Sequence, residues 1–157
     1  MTAYQWIKKL KLKEHPEGGY FAEIYRSEVT LSSADMERNL STSIYYLLKS
    51  GEISHWHQLA SDELWYFHAG SDVVVHLFDE GMYRQELVGI SDSAKPQLVI
   101  PAGSVFAAEV KDKDSYCLLG CMVSPGFDFE DFRMVEADEL IDIFPEEEEV
   151  IRAFSED

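Results

Sequence analysis

Between residues 20 and 132 the chain breaks into short apolar runs, separated by glycine, proline and acidic turn residues. Strand-like stretches lie at 20–27, 41–49, 54–59, 63–69, 71–79, 83–90, 97–100, 105–110 and 116–123. The fifth alternates Val73, Val75 and Leu77 against Val74, His76 and Phe78, the two-residue period of a pleated strand. A polar loop runs through Arg38 after the first stretch. Strands so short and so evenly punctuated predict an all-β sandwich or barrel rather than alternating βαβ units.

Helical signals stand only at the two ends. Thr2 followed by Gln5 makes a capping box for a helix over 2–10, with Tyr4 and Ile7 on one side and Trp6 and Leu10 on another. The segment Glu14-His15-Pro16-Glu17-Gly18-Gly19 ends it and reads as a rigid structural or dimer-contact turn. The tail turns helical over 137–154, where Pro145 opens a second piece and Glu146 to Glu149 sit at its positive end. A chain of 157 residues fits one domain, here 1–157 with its strand core at about 20–132.

Charge excludes two classes of partner. Thirteen basic residues against thirty acidic ones leave a formal charge of −17, which repels nucleic acid and anionic membrane surfaces alike. Cys117 and Cys121 fall on one apolar run, where four strand residues span about 13 Å, beyond disulfide reach. They read as reduced core thiols, in keeping with a cytoplasmic location.

The segment from Gly51 to His57 holds the chemistry. His55 and His57, two apart on a strand, would share a face about 7 Å apart at Cα. Two imidazoles so placed can hold one divalent metal, and with Glu63 they form a two-His, one-carboxylate set suited to Fe(II), Mn or Zn. If 54–59 and 63–69 form a hairpin, Glu63, Trp65 and Phe67 lie beside His57 on one face.

Gly51, His55, His57, Glu63 and Gly70 resemble the first motif of the cupin superfamily, and Pro101-Ala102-Gly103 resembles the second. The histidine that usually closes the metal set is replaced by Phe106. The blocks His15-Pro16-Glu17-Gly18-Gly19-Tyr20-Phe21, Tyr25-Arg26-Ser27, Ser43 to Leu48, and Ser61 to Gly70 resemble one branch, the Cupin_5 family or domain of unknown function 985. The resemblance implies a cupin-type double-stranded β-helix, or jelly-roll, barrel with short terminal helices, usually paired as a homodimer. It implies no settled activity. His57 matches the position that the family usually keeps, and His55 stands at a variable one.

Three functions stay open on these residues. In the first, a small-molecule pocket carries isomerase- or epimerase-like proton transfer on a sugar-like or other small polar substrate. His57 is then the base, Glu63 its neighbour, and Tyr45 or Tyr116 the acid. Arg26 anchors a ligand carboxylate or phosphate, and Trp65 and Phe106 line the hollow. In the second, His55, His57 and Glu63 hold a metal. In the third, the pocket binds a small ligand without turnover.

Overall fold

The structure, a computed structural model, describes residues 1–33 and 36–156. Helix α1 (Ala3–Leu10) opens the chain, and thirteen strands follow. In chain order these are β1 (Lys13–Glu14), β2 (Tyr20–Arg26), β3 (Thr30–Ser33), β4 (Met36–Asn39), β5 (Thr42–Lys49), β6 (Ile53–Leu59), β7 (Asp62–Gly70), β8 (Val73–Asp79), β9 (Met82–Val88), β10 (Gln97–Ile100), β11 (Val105–Val110), β12 (Tyr116–Ser124) and β13 (Phe132–Met134). Helices α2 (Ala137–Ile143) and α3 (Glu148–Ala153) close it, joined by a 3₁₀ turn that starts at Pro145.

Two antiparallel sheets pack face to face as a jelly-roll sandwich. One runs β1-β2-β5-β12-β7-β10 and the other β13-β6-β11-β8-β9. The expected polar loop before Arg38 instead forms a small hairpin, β3 with β4, and Ala34 and Asp35 of that loop lie outside the described residues. The expected hairpin between β6 and β7 is also absent. The chain crosses from one sheet to the other at Ala60–Ser61, so these strands face each other across the interior.

The alternation read from the sequence explains the layering. Inward residues Tyr46, Leu48, Trp65, Leu77, Phe106 and Leu119 make the core between the sheets. Outward Leu47 and Leu118 pack with Tyr45 and Tyr116 beneath α1, which contributes Trp6, Ile7 and Leu10. Tyr4 points to solvent, so the inward face of α1 joins Trp6, Ile7 and Leu10 rather than Tyr4 and Ile7. The capping box forms as expected, with Gln5 N–H donating to Thr2 Oγ1 at 3.3 Å and Thr2 N donating to Gln5 Oε1 at 2.8 Å. On the far sheet, outward Trp56, Phe78 and Ala107 pack against Leu140, Ile151 and Phe154 of the tail. Cys117 and Cys121 are free buried thiols on the inner face of β12.

The tail is pinned as well as packed: Trp56 Nε1–H donates to the Ile151 carbonyl at 2.8 Å in a buried setting. Trp56→Phe removes that donor and part of a fully buried ring. The variant should lose about 2 kcal/mol in urea unfolding. Amide hydrogen exchange should accelerate in α3 while α1, which packs on the other sheet, keeps its protection.

Candidate functional site

A cavity of about 310 Å³ opens between the sheets at the end where β2 and β5 meet the segment 126–132. Its floor holds His15, Glu17, Tyr46, Glu63 and Cys121. Phe21, Phe127 and Phe132 are among its walls, and Glu23, Arg26, Asp128 and Phe129 stand toward the exposed mouth.

Glu17 reaches the floor from a tight turn. Gly18 takes φ +106°, and a Cβ there would lie 2.0 Å from the Ile53 carbonyl oxygen, so only glycine lets the turn approach β6 this closely. The His55 N–H then donates to the Glu17 carbonyl at 2.7 Å and holds the turn against β6. The Glu17 carboxylate is buried; Oε1 accepts from Ser54 Oγ at 3.1 Å and Oε2 lies 2.9 Å from His57 Nε2.

Partner chemistry fixes the protons. His57 Nδ1 is 2.7 Å from the His55 carbonyl, which can only accept, so Nδ1 carries a hydrogen. Burial works against charge on both members of the pair. For Glu17, His57 and His15 together with hydrogen bonds from His57 and Ser54 override it, and the carboxyl is held well below the usual carboxylate range. Burial likewise lowers the His57 pKa, but Glu17 outweighs it and the imidazole ends above its ordinary value. The pair is therefore carboxylate and imidazolium. His15 is different. Its Nδ1 accepts the Glu17 backbone N–H at 3.2 Å, and burial lowers its pKa, so its 3.6 Å approach to Glu17 Oε2 is no ion pair.

Glu63, on β7, lies near the Glu17–His57 pair, whose histidine stands on β6 of the opposite sheet. Burial first and repulsion from Glu17 second push its carboxyl up to about 7, against His57 and the hydrogen bonds from Trp65 and Cys121. Trp65 Nε1–H donates to Glu63 Oε1 at 2.9 Å.

The sequence-based residues divide accordingly. His57 and Glu63 meet in the interior, with Trp65 and Phe106 beside them: Phe106 lies 4.0 Å from the His57 ring by centroids, and 6.1 Å from Trp65. His57 itself sits behind Glu17 and is not among the side chains that line the cavity. Tyr45 and Tyr116 lie on the outer face under α1, with Tyr116 OH donating to the Met1 carbonyl at 2.8 Å. Neither reaches the cavity. Arg26 does, but its guanidinium already forks Glu23 at 2.9 and 2.8 Å. Its remaining terminal nitrogen donates to Asn39 Oδ1 at 2.8 Å and the Phe127 carbonyl at 3.1 Å, so it is no free anion clamp.

His55 does not share a face with His57. Between them and β11 the register shifts: Phe106 pairs with His57 but Ala108 with Ser54, which leaves one extra residue on β6. That bulge turns His55 away, and its Nδ1 meets the Phe154 carbonyl at 3.2 Å. Both nitrogens of His57 are occupied, Phe106 fills the fourth-ligand position, and no group of three His, Cys, Asp or Glu suited to a metal occurs among the described residues. The donor set proposed from sequence does not fit a metal ion.

Glu17 is the residue that sequence reasoning missed. It lies forty positions from His57 and only folding joins them; the signal was a carboxylate ahead of two glycines, a turn able to push a side chain inward.

Comparison with known proteins agrees with this architecture. A model of the family Cupin_5, described as Cupin superfamily (DUF985), matches residues 4–135. The uncharacterized protein YML079W of Saccharomyces cerevisiae is 32% identical over 153 residues, covering 86% of this chain and 76% of that protein. A hypothetical protein from Leishmania major superposes with TM-score 0.93 at 35% identity over the whole of both chains. A protein from Shewanella oneidensis does so with TM-score 0.91 at 36% identity, over 99% of this chain and 98% of that one. Oxalate decarboxylase from Bacillus subtilis shares the fold, with TM-score 0.57 at 19% identity over 91% of this chain and 37% of the enzyme. None of the helices described is long and apolar enough to cross a membrane.

The raised Glu63 carboxyl has a consequence for stability. An acid whose pKa is higher folded than unfolded adds stability that is fully present below its unfolded value, near 4.5, and lost as pH rises through about 7. Relative to Glu63→Gln, the wild type should therefore lose about 3 kcal/mol across that window. Urea midpoints of both proteins at a series of pH values check this.

Proposed function

The chain belongs to the Cupin_5 family of the cupin superfamily, and on that premise we propose that it is a small-molecule enzyme of the isomerase class, with Glu63 as its acid–base group. The reading is carried by the buried Glu63 carboxyl on the floor of the hollow between the sheets, with burial and the Glu17 carboxylate pushing it up to about 7. A base with a pKa near the working pH combines a useful ionised fraction with useful proton affinity. In the proposed step the Glu63 carboxylate takes a proton from a carbon beside a carbonyl, giving an enediol-like intermediate and a neutral carboxylic acid. The Glu63 acid, whose proton exchanges with solvent in part before it is delivered, protonates the neighbouring carbon while the substrate's hydroxyl proton moves to the former carbonyl oxygen, so nothing is oxidised or reduced overall and one carboxyl serves both halves.

Two neighbours support the role. His15, with its Nδ1 lone pair taken, carries its hydrogen on Nε2 and is a neutral donor lining the same cavity, suited to polarising a carbonyl oxygen. The Glu17–His57 pair, with Glu17 in the floor and His57 behind it, contributes to the field that Glu63 feels, which makes His57 a positioning residue rather than the base first read from the sequence. Neither Tyr45 nor Tyr116 has a part in this scheme.

A ligand-binding module without turnover is the second reading. It is favoured by Trp65, whose N–H bond to Glu63 at 2.9 Å equally fixes that carboxyl as a recognition group.

Incorporation of solvent deuterium into a panel of small hydroxy-aldehydes and hydroxy-ketones, followed by proton NMR, separates the two. The enzyme reading expects exchange that rises with pH around a midpoint near 7 and falls by about 10²-fold or more in Glu63→Gln. Exchange that survives that substitution, or none above buffer in the wild type, overturns it.

A further inference from the structure

We propose that the ligand of this cavity is an organic cation, a compact molecule bearing a protonated or quaternary amine. The inference rests on reading the cavity as a ligand site and adds the charge of what it takes.

The polar groups around the hollow are sorted by sign. Glu17, Glu23, Glu63 and Asp128 bring carboxylates to its lining, and Arg26 brings the guanidinium that accompanies them. That guanidinium is spent. Two of its nitrogens are committed to Glu23 at 2.9 and 2.8 Å, and the third to Asn39 and the Phe127 carbonyl. Glu17 is balanced by His57 at 2.9 Å. Glu63 has no cation of its own: it accepts the Trp65 N–H, a neutral donor, and shares the floor with the neutral Cys121 thiol. Asp128 accepts the Glu130 N–H at 2.9 Å at the exposed end. A carboxylate or phosphate entering here would shed its water, meet Glu63 and Asp128, and find no unengaged cationic side chain. An ammonium group would meet charge of the opposite sign.

The walls suit the same guest. Phe127, Phe129 and Phe132 gather with ring centroids 5.0, 5.9 and 6.3 Å apart, two of the three pairs nearly perpendicular. Clustered rings present both edges and faces, and a face attracts a cation through its quadrupole, most strongly where water is excluded. The chain's net charge of −17 extends the preference outward by raising the local concentration of cations.

Matched probes test the charge without knowledge of the natural ligand. Choline is compared with its neutral isostere 3,3-dimethylbutan-1-ol, and glucosamine with glucose and glucuronate. Each is titrated into the full chain near neutral pH while the Trp65 indole N–H resonance, assigned through Trp65→Phe, is followed by NMR. At least one of the two cations should bind about tenfold or more tighter than its neutral partner, with glucuronate weakest in its set. In Glu63→Gln that margin should collapse while the affinity of the neutral partner stays within about twofold, a pattern that misfolding would not give. Equal or tighter binding of the neutral or anionic partners, or no response to either cation, overturns the proposal. The deuterium experiment reads separately: cation binding without exchange leaves this inference standing and removes the enzyme, and exchange without cation preference does the reverse.

Discussion

A buried ion pair ties the N-terminal turn to the middle of the fold. Glu17 and His57 lie forty residues apart in sequence and 2.9 Å apart in space, both nearly inaccessible to water. Two charges removed from water keep their ionised forms only when each is the other's compensation and the leftover lone pairs and protons are satisfied. Ser54 and the His55 carbonyl supply that satisfaction. Removing one partner would leave an uncompensated charge in or behind the cavity floor, so the pair constrains the turn, the β6 bulge and the site together. Its field has a further effect. The Glu17 carboxylate repels negative charge on Glu63 across the sandwich and helps to keep that group near neutrality.

The architecture decides which chemical side chains can cooperate. Crossing between sheets after β6, instead of turning back in a hairpin, sets His57 and Glu63 face to face with a hollow beside them. Helix α1 seals the outer face of one sheet and the C-terminal helices seal the other. Under α1 the outer-face hydroxyl of Tyr116 fastens the chain start, bonding to Met1 and Trp6. The interior between the sheets is left as the place where titratable groups meet without bulk water.

Much of this was legible in the sequence. Period-two patterning located the strands that form the two sheets, because an apolar inner face and a covered outer face both leave their mark on alternation. The His57 and Glu63 motif marked two side chains that the fold buries in the interior. What the pattern could not carry was a single inserted residue. The bulge between Ser54 and His57 breaks strict alternation, so His55 leaves the face that a regular strand would give it, and the two-histidine set dissolves. Arg26 was misread for a different reason: its partner Glu23 lies only three positions earlier, and whether such a neighbour captures a guanidinium depends on local side-chain geometry. Glu17 escaped notice because its role comes from a long-range contact, which a one-dimensional reading sees only as a carboxylate in a glycine-rich turn.

The central claim is that His57 is an imidazolium held by the Glu17 carboxylate inside the sandwich. Nitrogen-15 NMR of the histidine side chains reads this directly. The account predicts that at pH 6.5, the ordinary imidazole midpoint, both ring nitrogens of His57 show predominantly the shifts of protonated nitrogens, and that Glu17→Gln converts the ring to a neutral tautomer with hydrogen on Nδ1 alone. A predominantly unprotonated Nε2 in the wild type at that pH would contradict it.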